Sequence, residues 1–178
     1  MTKRTILVLT VVAVMATAMA LAIPAFAAPA DTDADVQKGL AQVRQATAKY
    51  HDVEEALADG YLATHTCVEV PGLGGMGYHY VKPALVGDPS VNPLEPELLL
   101  YAPSGNGQFK LVGVEYFVVD ADQDLSTDED RPSLFGVPFD GPMPGHEPEM
   151  PVHYDLHAWV WQANPIGIFA PFNPNVHC

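Results

Sequence analysis

The chain has 178 residues, 22 of them acidic and 8 basic, and 48% of it is hydrophobic. Two of the basic residues, Lys3 and Arg4, precede an apolar run, so the rest of the chain keeps six and carries a net charge of about −16 before histidines. That charge argues against nucleic-acid and anionic-membrane partners, whose phosphates need basic groups, and it keeps an exported protein dispersed.

The N-terminal segment has the layout of a secretory signal peptide. Lys3 and Arg4 supply the positive start, Ile6 to Ile23 is almost unbroken apolar sequence, and Ala25-Phe26-Ala27 is a small-x-small cleavage pattern. The run approaches the roughly 18 residues that a membrane span needs. Pro24 and the Ala-x-Ala site favour cleavage after Ala27 and a secreted, extracellular product that is soluble after cleavage. Residues 28–33 read as a disordered leader, and the length of 34–178 fits one domain.

From Ala34 to about Asp59 the pattern is helical. Val36, Leu40, Val43, Tyr50, Val53 and Leu57 recur at threes and fours with polar residues between them. Asp33 or Asp35 suits the start and Gly60 the end, while Gly39 weakens or splits the helix. Prolines and glycines then punctuate short apolar segments at Met76–Val81, Glu97–Tyr101, Phe109–Val119 and Val152–Trp161, which read as strands. "PSGNGQ" at 103–108 predicts a hairpin between the second and third of these. The fold class is α+β: an N-terminal long helix packed on a curved antiparallel sheet or partial barrel, with one disulfide. That disulfide joins Cys67 and Cys178, the only cysteines, because an exported chain meets an oxidising compartment.

Several stretches suggest chemistry. Asp120, Asp122 and Asp124 have the spacing that opens a calcium loop, but Leu125 and Arg131 stand where an EF-hand needs Gly and Glu. A solvated acidic loop is the better reading. No serine sits in a nucleophile elbow. "GLGGMG" at 72–77 precedes a strand rather than following one, which suits a tight turn into it. "GPMPGHEPEMPVH" at 141–153 holds Met143, His146, Glu147, Met150 and His153, a set that suits copper; the better reading is a Pro-rich surface loop, stiff enough to serve as a lid over the concave face.

The sharpest candidate spans three segments. In "HYDLHAWVW", 153–161, strand alternation points His153, Asp155, His157, Trp159 and Trp161 one way. His79 sits inside "GYHYV" and Glu115 inside "LVGVEYFVV", a lone carboxylate in a very apolar strand. Charged groups are rarely buried without a partner. If the strands are neighbours, His79, Glu115 and His157 meet on the concave side. Two imidazoles and a carboxylate suit a divalent ion, with Fe, Mn, Zn and Cu not distinguished. Asp155 or His153 would be an extra ligand or the partner that orients one. Tyr78, Tyr80, Trp159 and Trp161 would wall a pocket for a small organic ligand. The alternative is a metal-free binding or structural module whose His/Glu cluster is a satisfied hydrogen-bond network.

"GGMGYHYVKPALV", "VGVEYFV", "LFGVPFDGPM" and "LHAWVWQANPIGIFAPFNPNVHC" resemble an uncharacterised family of secreted bacterial proteins, over a span from about Tyr50 to Cys178. The resemblance implies export. It also implies that His79, Glu115, His157, Cys67 and Cys178 belong to the family's motif, without naming an activity.

Overall fold

The computed structural model describes residues 33–178, so the expected signal peptide and nearly all of the expected leader lie outside the described residues. Helix α1, Asp33–Thr47, begins at the last leader position. Asp33 and Asp35 in its first turn and Arg44 in its last complement the helix dipole. Its buried stripe is Leu40, Val43 and Thr47, the three- and four-residue spacing seen in the sequence. The expected single helix is interrupted further on, away from Gly39. A 3₁₀ turn, Ala48–His51, intervenes. Asp52 then takes an extended conformation and caps α2, Val53–Ala58, by accepting from the Glu54 N–H at 3.0 Å. Gly39 is instead a place of close contact: a Cβ there would lie 2.7 Å from the Phe135 ring.

Six strands form one antiparallel sheet. They are β1 (Leu62–Val70), β2 (Gly74–Val81), β3 (Leu98–Pro103), β4 (Phe109–Val119), β7 (Asp140–Met143) and β8 (His153–Ala158). Their order across the sheet is β1-β2-β3-β4-β8-β7. A four-residue helix α3, Pro83–Val86, follows β2, and a short hairpin joins β5 (Ser133–Leu134) to β6 (Val137–Pro138). The chain is therefore α+β, an N-terminal helix against a curved antiparallel sheet.

Two sequence expectations change. Edge strand β1, "LATHTCVEV", is largely exposed and too polar to have read as a strand. The last strand ends at Ala158 rather than Trp161.

The two faces of the sheet bury different things. On the helix face, Tyr80, Leu99, Tyr101, Val114, Tyr116, Tyr154 and Leu156 pack with Leu40 and Val43 of α1. Arg44 Nε donates to the Val160 carbonyl at 2.8 Å, and the Tyr101 hydroxyl donates to the Tyr50 carbonyl at 2.6 Å, which ties the helical region to this face. The opposite face carries a smaller cluster of Leu100, Ala102, Val112, Trp159 and Val176.

The C-terminal segment covers part of that second face. Gly75 and Asn173 exchange backbone hydrogen bonds at 3.1 and 3.0 Å. The Trp159 indole donates to the Ala170 carbonyl at 2.6 Å. The Cys67–Cys178 disulfide fixes the chain end to β1. The fit depends on glycine: Gly74 lies at φ 93°, and a Cβ there would meet the Asn173 carbonyl oxygen at 2.2 Å.

Candidate functional site

Strand pairing assembles the predicted trio. Glu115 on β4 pairs with His157 on β8, and Leu98 on β3 pairs with Glu115 on β4. His79 on β2 faces Leu100 two residues further along β3. The side chains of His79, Glu115 and His157 therefore rise from one face and converge above β3. Their ligand atoms all lie within 4.8 Å of one another. His79 Nε2 is 3.2 Å and His157 Nε2 3.7 Å from Glu115 Oε2, so the trio is engaged in ion-pair contacts within itself. Of the two readings of this cluster, internal pairing is the one these contacts support more directly.

The electrostatics follow from burial. Glu115 is 5% and His157 1% exposed. Burial opposes ionisation of Glu115, but the imidazoles of His157 and His79 outweigh it and hold the carboxyl down, to about 2. Burial pushes His157 down, which favours the neutral imidazole. Asp155, also buried, is pushed up to about 8 by burial, with the charges of Glu115 and Asp140 adding to it.

Pairing leaves atoms over. Glu115 Oε2, Asp155 Oδ1 and both ring nitrogens of His157 are buried without a hydrogen-bond partner in the protein. The 3.2 Å approach of His79 Nε2 to Glu115 Oε2 is not aligned as a hydrogen bond. Asp155 Oδ1 stands 3.8 Å from His157 Nδ1, beyond hydrogen-bond reach.

The other predicted residues divide. His153 is fully buried, but its ring stacks on Phe117 at 4.7 Å and its Nδ1 is 3.1 Å from the Pro151 carbonyl, so it stands apart from the trio. Burial also pushes its imidazole down.

The four aromatics expected to wall the pocket are not among the residues lining the cavity beside the trio. Tyr78 and Tyr80 flank His79 in β2, so alternation sends them to the helix face, where Tyr80 lies 4.6 Å from Tyr101. Trp159 stacks beside His157 at 6.2 Å but belongs to the small second core. Trp161 lies past the strand end and donates to Thr47 Oγ1 of α1 at 3.1 Å.

The cavity itself measures about 880 Å³. Its apolar walls include Val68, Met76, Val81, Leu98, Phe117 and Phe172, and its floor is His79, Glu115, His157 and Asp155. The Pro-rich stretch from His146 to Pro151 closes one side, as the stiff loop in the sequence suggested. Sequence reasoning missed Leu98 and Phe117. Both share the strand face of Glu115, two residues away in one case and one strand across in the other.

The acidic loop is built as a chain of turns. Asp122 accepts from the Asp124 N–H and from Thr127, and Asp124 accepts from the N–H and hydroxyl of Ser126.

Among the described residues no helix is long and apolar enough to cross a membrane. No family model, no curated protein and no solved structure matches the chain.

Proposed function

We propose that this chain is an exported binding module. Its cavity takes a small organic molecule whose apolar body contacts the walls and whose polar group meets the paired His/Glu floor. The observation that carries the reading is the cavity of about 880 Å³, mostly apolar and ending on a few convergent polar groups. Small-molecule sites have this size and this composition. The internal pairing of His79, Glu115 and His157 supports a floor that stands without a metal. The signal peptide and the resemblance to secreted bacterial proteins support export.

The test is to fill the cavity. Val86 lines it from α3 and is only partly buried, so Val86→Trp adds bulk without adding a buried charge. Six-carbon probes such as 1-hexanol, titrated into the mature chain by calorimetry, are expected to bind the parent and not the variant. Equal heats from both, or none from the parent, would remove the reading.

A second reading has its own observation. Both nitrogens of the buried His157 lack a hydrogen-bond partner, which native proteins seldom tolerate. A divalent ion among the three side chains would use one of them. Ligands about 2.0–2.2 Å from a shared ion stand roughly 3–3.5 Å apart, close to the 3.2 and 3.7 Å of the ion pairs. His79 Nε2, His157 Nε2 and the Glu115 carboxylate would hold the ion, and Asp155 would orient His157 through Nδ1. A bound ion would polarise a substrate oxygen or activate water on the cavity side.

Elemental analysis of the purified protein and of His157→Ala separates the readings. Stoichiometric iron, manganese, zinc or copper that disappears in the variant selects the metal. Its absence from native preparations rejects it.

A further inference from the structure

We infer that the cavity selects an organic ammonium ion, a protonated amine on an apolar body, over an anion or a neutral molecule of the same size. The inference rests on the cavity being a binding site and adds the class of its ligand.

The sign of the lining charge is the first argument. Glu115 supplies a carboxylate on the floor, and Glu147 and Glu149 stand at the exposed mouth; Asp155, pushed up by burial, adds a polar group rather than a charge at pH 7. Among the described residues that line the cavity there is no Lys or Arg. A carboxylate ligand would enter against these groups and against the surplus negative charge of the whole chain. Low-dielectric walls focus a field of one sign and draw the opposite charge inward.

The second argument is hydrogen bonding. Glu115 Oε2 is a buried carboxylate oxygen that receives no hydrogen bond, and Asp155 Oδ1 and both ring nitrogens of His157 are likewise buried without a partner. Leaving such groups unmade is costly. An ammonium group brings three N–H donors and one positive charge to one point. An alcohol brings one donor and a carboxylate none.

The third argument is the wall. Val81, Leu98, Phe117 and Phe172 would stay wet around a small hydrated cation. They call for a hydrocarbon body behind the amine, whose removal from water favours binding.

Matched probes test this. Hexylammonium, 1-hexanol and hexanoate share one body and differ in head group. Each is titrated at pH 7 into the mature chain, with metal content measured on the same sample. Hexylammonium is expected to bind at least tenfold more tightly than hexanol, and hexanoate most weakly. Glu115→Gln and Asp155→Asn should each reduce the preference for hexylammonium over hexanol, Glu115→Gln the more. Glu147→Gln with Glu149→Gln, both exposed, should weaken hexylammonium a few-fold, and more at low salt. This pair keeps the test alive if the floor variants do not fold. Hexylammonium binding no tighter than hexanol, or hexanoate binding best, overturns the inference while the cavity remains a site. If none of the three probes binds, the cavity reading falls with it.

Discussion

His79 and Glu115 approach to 3.2 Å although a whole strand, β3, lies between their own. Curvature of the sheet and the length of the two side chains close that gap. Glu115 is thus a buried carboxylate supported by imidazoles from two directions, His79 across β3 and His157 on the adjacent β8.

Removing Glu115 should therefore cost more than replacing it with a shape-conserving amide. Taking one member from a buried ion pair typically costs about 3–5 kcal/mol. Glu115→Ala is expected to lower unfolding free energy by about 3 kcal/mol and Glu115→Gln by clearly less, both read from urea melts. A loss below about 1 kcal/mol for the alanine variant would mean that the pair adds little to stability.

Glu97 gives the fold a pH dependence. Its side chain is 3% exposed and accepts from the Phe117 N–H at 3.1 Å. Burial pushes its carboxyl up to about 7, the hydrogen bonds oppose this, and the charges of Glu115 and Asp88 add to it. The folded chain therefore keeps a proton that the unfolded chain releases above its ordinary carboxylate range. That contribution to stability is present at low pH and is lost as pH rises towards about 7. At about 1.4 kcal/mol per pH unit the loss is on the order of 3 kcal/mol. Glu97→Gln cannot ionise, so its stability relative to the parent should improve by about that much between pH 5 and pH 8. A difference that stays flat across this range would mean that Glu97 ionises normally.

The disulfide should carry a large share of stability. Cys67 and Cys178 are 111 residues apart. The chain-entropy model gives about 4–5 kcal/mol for a loop of that size. Cys67→Ser with Cys178→Ser is expected to shift the denaturant midpoint downward by the corresponding amount. It should also loosen the C-terminal segment, seen as faster amide exchange at Asn173 and Gly75. Unchanged exchange there would show that the backbone bridge suffices by itself.

Gly77 fixes the approach of β2 to β3. It lies at φ 91°, and a Cβ would meet the Tyr101 carbonyl oxygen at 2.4 Å. Gly77→Ala should destabilise by more than about 1 kcal/mol, through both strain and contact, whereas the same change at a compatible site stabilises. A melting temperature equal to that of the parent would contradict the register of these strands.

The sequence made the chemistry of the trio visible and the shape of its pocket much less so. His79, Glu115 and His157 stand out because each is a titratable residue in an apolar strand, an expense that burial makes conspicuous. The α+β class, the hairpin at 103–108 and the cysteine pair followed from period, turn residues and compartment. The wall aromatics went astray for a reason already present in the strand period. Tyr78 and Tyr80 adjoin His79, so alternation places them on the other face. Trp161 shares the face of His157 only in a strand that runs on to 161, and β8 leaves the sheet after Ala158. β1 was illegible because an exposed edge strand has no apolar face to advertise. Which strands would be neighbours, and hence that the three ligands would meet, is a property of the topology. No local spacing encodes it.

The most direct measurement of the binding account is the response of the two imidazoles at the cavity floor. Ring ¹⁵N shifts of His79 and His157 can be followed by NMR as 1-hexanol is added to the mature chain, with Val86→Trp as the blocked control. The account predicts saturable movement of both rings in the parent and none in the variant. Rings that stay fixed in the parent at millimolar probe would contradict it.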